Sequence, residues 1–301
     1  MTGQPLSDRF QYKTADALRR KAEALGVDLP FENDLRILLE PAEVGGRRVP
    51  NRLAAQPMEG CDGTPDGAPG NLTTRRYERI ASGGSGLIWF EATSVAPDGR
   101  ANPRQLFLSA GTAPAFRRLV DLTRAAARRR FGDRHEPYLV VQLTHSGRFS
   151  RTAGEGRREA TCFNPHFDRP VAGMAPPPEH PLVGVARLLG LGAAVQSEVP
   201  AVPAVATGLS WLRQFWPPVA AGLLTRGMAV FAGLGRGAFA YPDAAADLMA
   251  RGVLDRTKCC IACSRCTELM RIGSTAGCAV RDHPLYSSLH RAAMASARSV
   301  P

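Results

Sequence analysis

The chain has 301 residues, 44% of them hydrophobic and 22% charged, and a formal net charge of +11. That length suits one large α/β domain or two smaller ones, and the composition excludes a disordered or fibrous protein. Residues 1–13 contain no apolar signal segment, and Arg, Gly or Pro interrupts each long apolar run, so a cytoplasmic setting with no membrane partner is expected.

The positive charge raises nucleic acid as a partner. Its distribution argues against one. Only Lys13, Lys21 and Lys258 are lysines, and the arginines are spread along the whole chain. The dense run Arg128-Arg129-Arg130 closes a helical pattern, where cations complement the helix dipole. A small-molecule substrate and no nucleic acid are expected.

In chain order, residues 14–25 read as a helix, with Thr14 as N-cap and Gly26 just past its end. Residues 30–51 follow no clear period and are expected to wrap the base of what comes next. Residues 52–56 form a strand that runs into Pro57-Met58-Glu59-Gly60. After a Gly- and Pro-rich loop, Thr73 or Thr74 caps a helix through Ala81. Residues 86–90 form a buried strand ending in Glu91-Ala92-Thr93. Residues 114–130 carry the clearest helical period. Tyr138-Leu139-Val140-Val141 then reads as a strand buried on both faces, ending in Gln142, Thr144 and His145.

The stretch from Ser146 to His180 shows no helix or strand of ordinary length, which is unusual inside a compact domain. Alternation then resumes. Residues 181–199 read as a helix despite Gly184, Gly190 and Gly192. Residues 202–206 form a strand into Thr207-Gly208. Ser210 caps a helix to about Arg226, kinked at Pro217-Pro218. Residues 228–232 form a strand into Gly233-Leu234-Gly235-Arg236-Gly237, and Asp243 caps a last helix.

Five strands alternating with helices predict an α/β fold with a parallel sheet covered on its faces. In a barrel of such strands the C-terminal ends share one face and carry the site. Here those ends are Pro57-Met58, Glu91-Ala92-Thr93, Gln142 with His145, Thr207-Gly208 and Gly235-Arg236. The last two suit a phosphate group, to which Arg236 adds a fixed charge. The run Gly233-x-Gly235-x-Gly237 resembles a dinucleotide fingerprint. Ala238 stands where its third glycine belongs, and no βαβ unit follows.

Cys260-x2-Cys263-x2-Cys266, with Cys278 a short return away, has the compact spacing of an iron–sulfur site. Thiolates also suit zinc, although zinc usually draws on two separated knuckles. Cys259 adds a neighbouring thiol, and reduced structural cysteines are the plainer alternative.

Taken together, Asn51-Arg52 with Gln56-Pro57-Met58, the segment 86–100, the run from Gln142 to Arg148 and the run Gly233 to Arg236 resemble the old yellow enzyme family. These are NADH:flavin oxidoreductases, among them the 2,4-dienoyl-CoA reductase branch. The resemblance covers residues of roughly 35 to 150 and 162 to 285. It implies a TIM (β/α)8-type barrel that binds FMN across its strand ends. Pro57, Met58 and Ala92 would line the isoalloxazine, Gln142 would bond its pyrimidine edge, and Gly208, Gly235 and Arg236 would hold the phosphate. The branch carries a similar 4Fe-4S site after its last strand, with a second gap one residue longer, which implies Cys260, Cys263, Cys266 and Cys278 as ligands.

The chain also departs from the family. About five of the eight strand–helix units are present, so the barrel is expected to be incomplete across the middle. The family's paired His and Asn, its tyrosine proton donor and a basic residue facing the flavin have no counterpart. His166 is the candidate acid that remains. The expected organisation is an N-terminal helix and wrap over 1–50, the partial barrel over 51–255, and a cysteine segment with tail over 256–301. An oligomer or partner chain would cover the open barrel, since open strand edges leave backbone groups unpaired.

The expected activity is passage of hydride from NAD(P)H through flavin to an activated alkene, an enone or enoyl thioester. Two alternatives are a catalytically impaired partial barrel that keeps its cysteine site as a structural module, and a zinc-stabilised protein that binds nucleic acid.

Overall fold

Asn51 ties the start of the first core strand to the start of its neighbour. Its side-chain oxygen accepts the N–H groups of Leu53 (3.1 Å) and Gly86 (2.8 Å), and its amide donates to the Gly84 carbonyl (2.7 Å). Position 86 has to be glycine because a Cβ there would lie 2.3 Å from the Asn51 carbonyl oxygen. The computed structural model describes residues 10–147, 150–151 and 179–298.

The chain opens with α1 (Ala15–Ala24), N-capped by Thr14, whose hydroxyl accepts the Ala17 N–H at 3.2 Å. Next come α2 (Arg36–Leu39) and an antiparallel hairpin of β1 (Ala42–Val44) and β2 (Arg47–Val49). The core then alternates: β3 (Leu53–Ala55), α3 (Asn71–Ser82), β4 (Leu87–Ser94), α4 (Ala113–Phe131) and β5 (Tyr138–Thr144). Beyond the undescribed stretch follow α5 (Pro181–Glu198), β6 (Val205–Ala206), α6 (Trp216–Thr225), β7 (Phe231–Leu234), α7 (Arg236–Ala240) and α8 (Ala244–Arg251). The cysteine segment adds α9 (Arg265–Arg271) and α10 (His283–Arg298).

The core strands form one five-stranded sheet in the order β5-β4-β3-β7-β6, with each neighbouring pair parallel. First and last strands of the chain's alternation meet at β3 and β7, as in a barrel, and among the described residues β5 and β6 are the edges. The result is a parallel half-barrel. Successive side chains point to opposite faces. Leu53, Ala55, Ile88 and Phe90 face the helices, in a core with Leu18, Leu38, Leu119, Leu209 and Val219. Ala54, Leu87 and Phe231 face the other way and pack under Val49 of the hairpin. The segment 30–51 thus plugs the sheet, and α1 contributes Leu18 and Ala22 to the main core.

Several boundaries differ from the sequence reading for identifiable reasons. The N-cap of α3 is Gly70, not Thr73 or Thr74; Thr73 lies inside the helix, accepts the Gly70 N–H (3.2 Å) and donates to Asp62 (2.6 Å). Ser210 caps no long helix. It sits in a 3-10 turn over Leu209–Phe215, broken at Arg213 (φ 52°), and α6 starts afresh with Pro217 and Pro218 in its first turn. Prolines lack the N–H that this position leaves unused, so they begin a helix rather than kink one. The last strand lies over 231–234 instead of 228–232, and α7 follows it at once.

The largest correction concerns β5. Its apolar run predicts burial on both faces, yet Val141 is 41% and Leu143 56% exposed. A strand's surroundings come from its neighbours, and the described residues supply β5 with only one. No helix among the described residues is long and apolar enough to cross a membrane.

Candidate functional site

The C-terminal ends of β3, β4 and β7 come together at one face of the sheet. The Gln56 N–H donates to the Leu234 carbonyl (3.0 Å), which joins the ends of β3 and β7. A Cβ at Gly235 would lie 3.3 Å from Met58 Sδ, and one at Gly233 would lie 2.8 Å from the Gln56 amide carbon. The β6 and β7 loops are joined by the Gly237 N–H, which donates to Ser210 Oγ at 3.0 Å. Gly208 turns the chain out of β6 at φ +86°, the left-handed region that suits glycine.

Of the residues singled out from sequence, Pro57, Met58, Ala92, Gly208, Gly235 and Arg236 are all half-buried at or near these strand ends. Gln142 lies on the edge strand and is exposed. It stands opposite a bulge in β4: the pairing runs Phe90 with Val141, then Thr93 with Leu143, so Glu91 and Ala92 together oppose Gln142. A bulge inserts one residue and re-aims side chains. It turns Glu91 into the protein, where it is 1% exposed. The strand runs on to Ser94, so Glu91-Ala92-Thr93 belong to it rather than to a following loop. His166 lies outside the described residues.

Behind this face is a buried charge network not anticipated from sequence. Arg76 of α3 donates to both oxygens of Asp62 (2.8 and 2.9 Å) and to Glu91 (2.7 Å). Glu91 also accepts the Gly60 N–H (2.8 Å), and its own N–H donates to the Tyr77 hydroxyl (2.6 Å). Burial raises the Glu91 pKa against the opposing pull of Arg76, and holds the Tyr77 hydroxyl well above its ordinary value. Burial disfavours the charge on Arg76, but Glu91 and Asp62 outweigh it and raise its pKa. A Cβ at position 60 would fall 2.1 Å from the guanidinium, so the glycine leaves the room that Arg76 occupies in this network. The available sequence signal was an acidic residue at a strand end beside arginines on α3. Nothing local says which arginine turns inward.

Glu59 and Gln105 were also missed. The Gln105 amide donates to Glu59 Oε1 (3.3 Å) and to the Ala92 carbonyl (3.2 Å), bridging the ends of β3 and β4. Burial first, and the charge of Glu91 second, push the Glu59 carboxyl up to about 7.

The cysteine segment packs against the same elements. The Ala276 N–H donates to the Gly60 carbonyl (2.7 Å), and Asp282 accepts from Arg75 and Arg79 of α3, each at 2.7 Å. All six described cysteines are free thiols. Cys260 accepts the Ala262 N–H (3.4 Å) and Cys278 the Arg281 N–H (3.3 Å). Burial pushes the Cys260 and Cys266 thiols up; Arg236 and, for Cys260, the Ala262 N–H oppose it. Cys260, Cys263, Cys266 and Cys278 lie in one neighbourhood, close enough for Cys260 to feel the charge of Cys263 and of Cys278. The donor chemistry suits a soft metal. Among the described residues, however, no three His, Cys, Asp or Glu side chains converge as a metal-holding set, so these thiols do not form a ready ligand cage.

The fold and part of the sequence have counterparts among known proteins. Over 122 residues, 40% of this chain, it is 34% identical to an NADPH dehydrogenase of Geobacillus sp. (strain WCH70). The match takes in 33% of that relative, so this chain parallels about a third of its length. In fold it resembles 2-naphthoyl-CoA reductase in complex with 2-naphthoyl-CoA (TM-score 0.58, 12% identity, 82% of this chain and 57% of that one). Histamine dehydrogenase from Rhizobium sp. 4-9 is similar too, with TM-score 0.55 and 16% identity over 82% of this chain and 49% of that one. No protein-family model matches the chain.

Proposed function

We propose that the chain is an FMN-dependent oxidoreductase of the old yellow enzyme type that uses NAD(P)H to reduce an activated alkene, an enone or enoyl thioester. The observation that carries this reading is the strand-end face, where Met58, Ala92, Gly208, Gly235 and Arg236 are part-exposed, Gln105 holds the Ala92 carbonyl and Ser210 holds the Gly237 N–H. Likeness in sequence to an NADPH dehydrogenase supports it. FMN, when bound, supplies two-electron hydride chemistry, and the protein supplies position and electrostatics.

In this reading Pro57, Met58 and Ala92 would line the ring system, and Gln142 would hydrogen-bond its pyrimidine edge. Gly208 and Gly235 bring backbone close to the phosphate without a side chain intervening, and Arg236 offsets its charge. Cys260, Cys263, Cys266 and Cys278 are proposed as iron–sulfur ligands on the strength of their spacing and of the N–H groups aimed at two of the sulfurs. The ligands would have to draw together as the metal is taken up.

Titrating the purified chain with FMN, then adding NADPH and cyclohexenone, tests the main reading. Bound-flavin absorption with NADPH consumption that depends on the enone is the expected outcome. A chain that leaves FMN free in solution would sink it. Iron and sulfide analysis separates an iron–sulfur site from zinc or from bare thiols.

A second reading has an observation of its own. Val141 and Leu143 of β5, Leu191 and Val195 of α5 and Val202 ahead of β6 are exposed, as in a half-barrel that no longer turns over substrate. FMN bound without enone-dependent turnover would favour that reading, and with it a structural role for the cysteine segment.

A further inference from the structure

Glu59 directly follows Met58 in the loop after β3 and is half-buried. Its Oε1 accepts from Gln105, the residue that also holds the Ala92 carbonyl. The carboxyl is therefore fixed beside two of the residues proposed to line the ring system, by a neutral donor. The charge that bears on it is that of Glu91 from β4; Asp62 from the loop after β3 and Arg76 from α3 complete the network around the neighbouring Cys61 thiol, which burial keeps protonated. Arg76 directs its terminal N–H groups to Asp62 and Glu91. The guanidinium of the network thus serves other carboxylates, and Glu59 feels the charge of Glu91.

We propose that Glu59 is the proton-exchanging residue of this face, giving its proton to a basic atom of a ligand seated at the strand ends. The proposal rests on the oxidoreductase reading. In alkene reduction the π bond breaks, and hydride, whose electron pair comes from NAD(P)H, makes one new C–H bond. The Glu59 O–H bond breaks and its proton makes the second, on the adjacent carbon. The carboxylate left behind is restored by a proton from water. A carboxyl held neutral near pH 7 suits this role, because it has a proton to give at neutral pH and can recover it.

Two measurements test it. In the ligand-free chain, the infrared carbonyl stretch of the protonated carboxyl should disappear with a midpoint near pH 7, and that transition should be absent from E59Q. A midpoint at the ordinary value of 4.5 overturns the proposal. In the FMN-loaded chain, E59Q should bind flavin and accept electrons from NADPH within about twofold of the parent, while reoxidation by cyclohexenone slows by about 10²-fold and loses its pH dependence. Equal reoxidation rates overturn it. Glu59→Asp, which keeps a carboxyl, should restore part of the rate. Failure to bind FMN, with the transition near pH 7 intact, would reject the flavin reading and with it the proton transfer to an alkene, whereas a midpoint at 4.5 or equal reoxidation rates would reject the role of Glu59 alone.

Discussion

Strands β4 and β5 are neighbours with similar apolar openings, Leu-Ile-Trp-Phe and Tyr-Leu-Val-Val, yet they meet opposite surroundings. β4 lies between two strands, and Ile88 and Phe90 are at most 5% exposed. β5 lies at the edge, with Leu143 56% exposed. The difference teaches that an apolar run reports a capacity to be buried, while burial itself depends on what lies alongside. At this edge nothing among the described residues pairs with β5 on its outer side, and the apolar side chains of α5 stand exposed at the opposite end of the sheet.

That contrast can be broken most forcefully from the β4 side. Arg76→Met removes the guanidinium and leaves Asp62 and Glu91 buried without their partner. A loss of about 3–5 kcal/mol is expected by urea denaturation, of the size seen when one member of a buried ion pair is deleted. Ile88→Ala should come next, at about 2–5 kcal/mol, because the side chain is fully buried against the helices.

Acidity separates the regions more gently. The Glu59 carboxyl is raised to about 7 from 4.5, so between those values the folded chain keeps a proton that the unfolded chain releases. Stability from this group is complete below about pH 4.5 and falls as pH rises towards 7. The denaturation midpoint of E59Q should lack that decline when compared with the parent across the same pH series.

The smallest effect belongs to the edge. Leu143→Ser should change stability by no more than about 0.5 kcal/mol, since the side chain is already mostly in water. The pair Val141→Lys and Leu143→Lys should lower any self-association seen by light scattering, because charge on an edge strand discourages pairing. A large loss of stability from Leu143→Ser would show that this edge is covered in solution, and the contrast with β4 would vanish.

Much of the order of elements was legible in the sequence. The cap at Thr14, the long helix before β5 and the helix after Asp243 follow from local rules, since caps and helical periods need only nearby residues. The strand ends were legible for the same reason: a buried apolar run that stops in polar residues marks where a sheet meets water. Pro57, Met58, Ala92, Gly208, Gly235 and Arg236 stand at or near such ends in the sequence pattern and in the fold. The four cysteines could be named from spacing, but whether thiolates close on a metal depends on angles that spacing does not contain.

The tertiary structure alone decided which side chains meet. That Arg76, rather than Arg75 or Arg79, turns inward to Asp62 and Glu91 depends on how α3 seats against β4. The bulge that buries Glu91 arises from the pairing of β4 with β5, which are far apart in the chain. Glu59 stood in plain view beside Met58, yet its raised pKa comes from burial and from Glu91, a residue distant in sequence. Local rules set the elements and their ends; the charges they bring together are fixed by long-range contact, which no short stretch of sequence encodes.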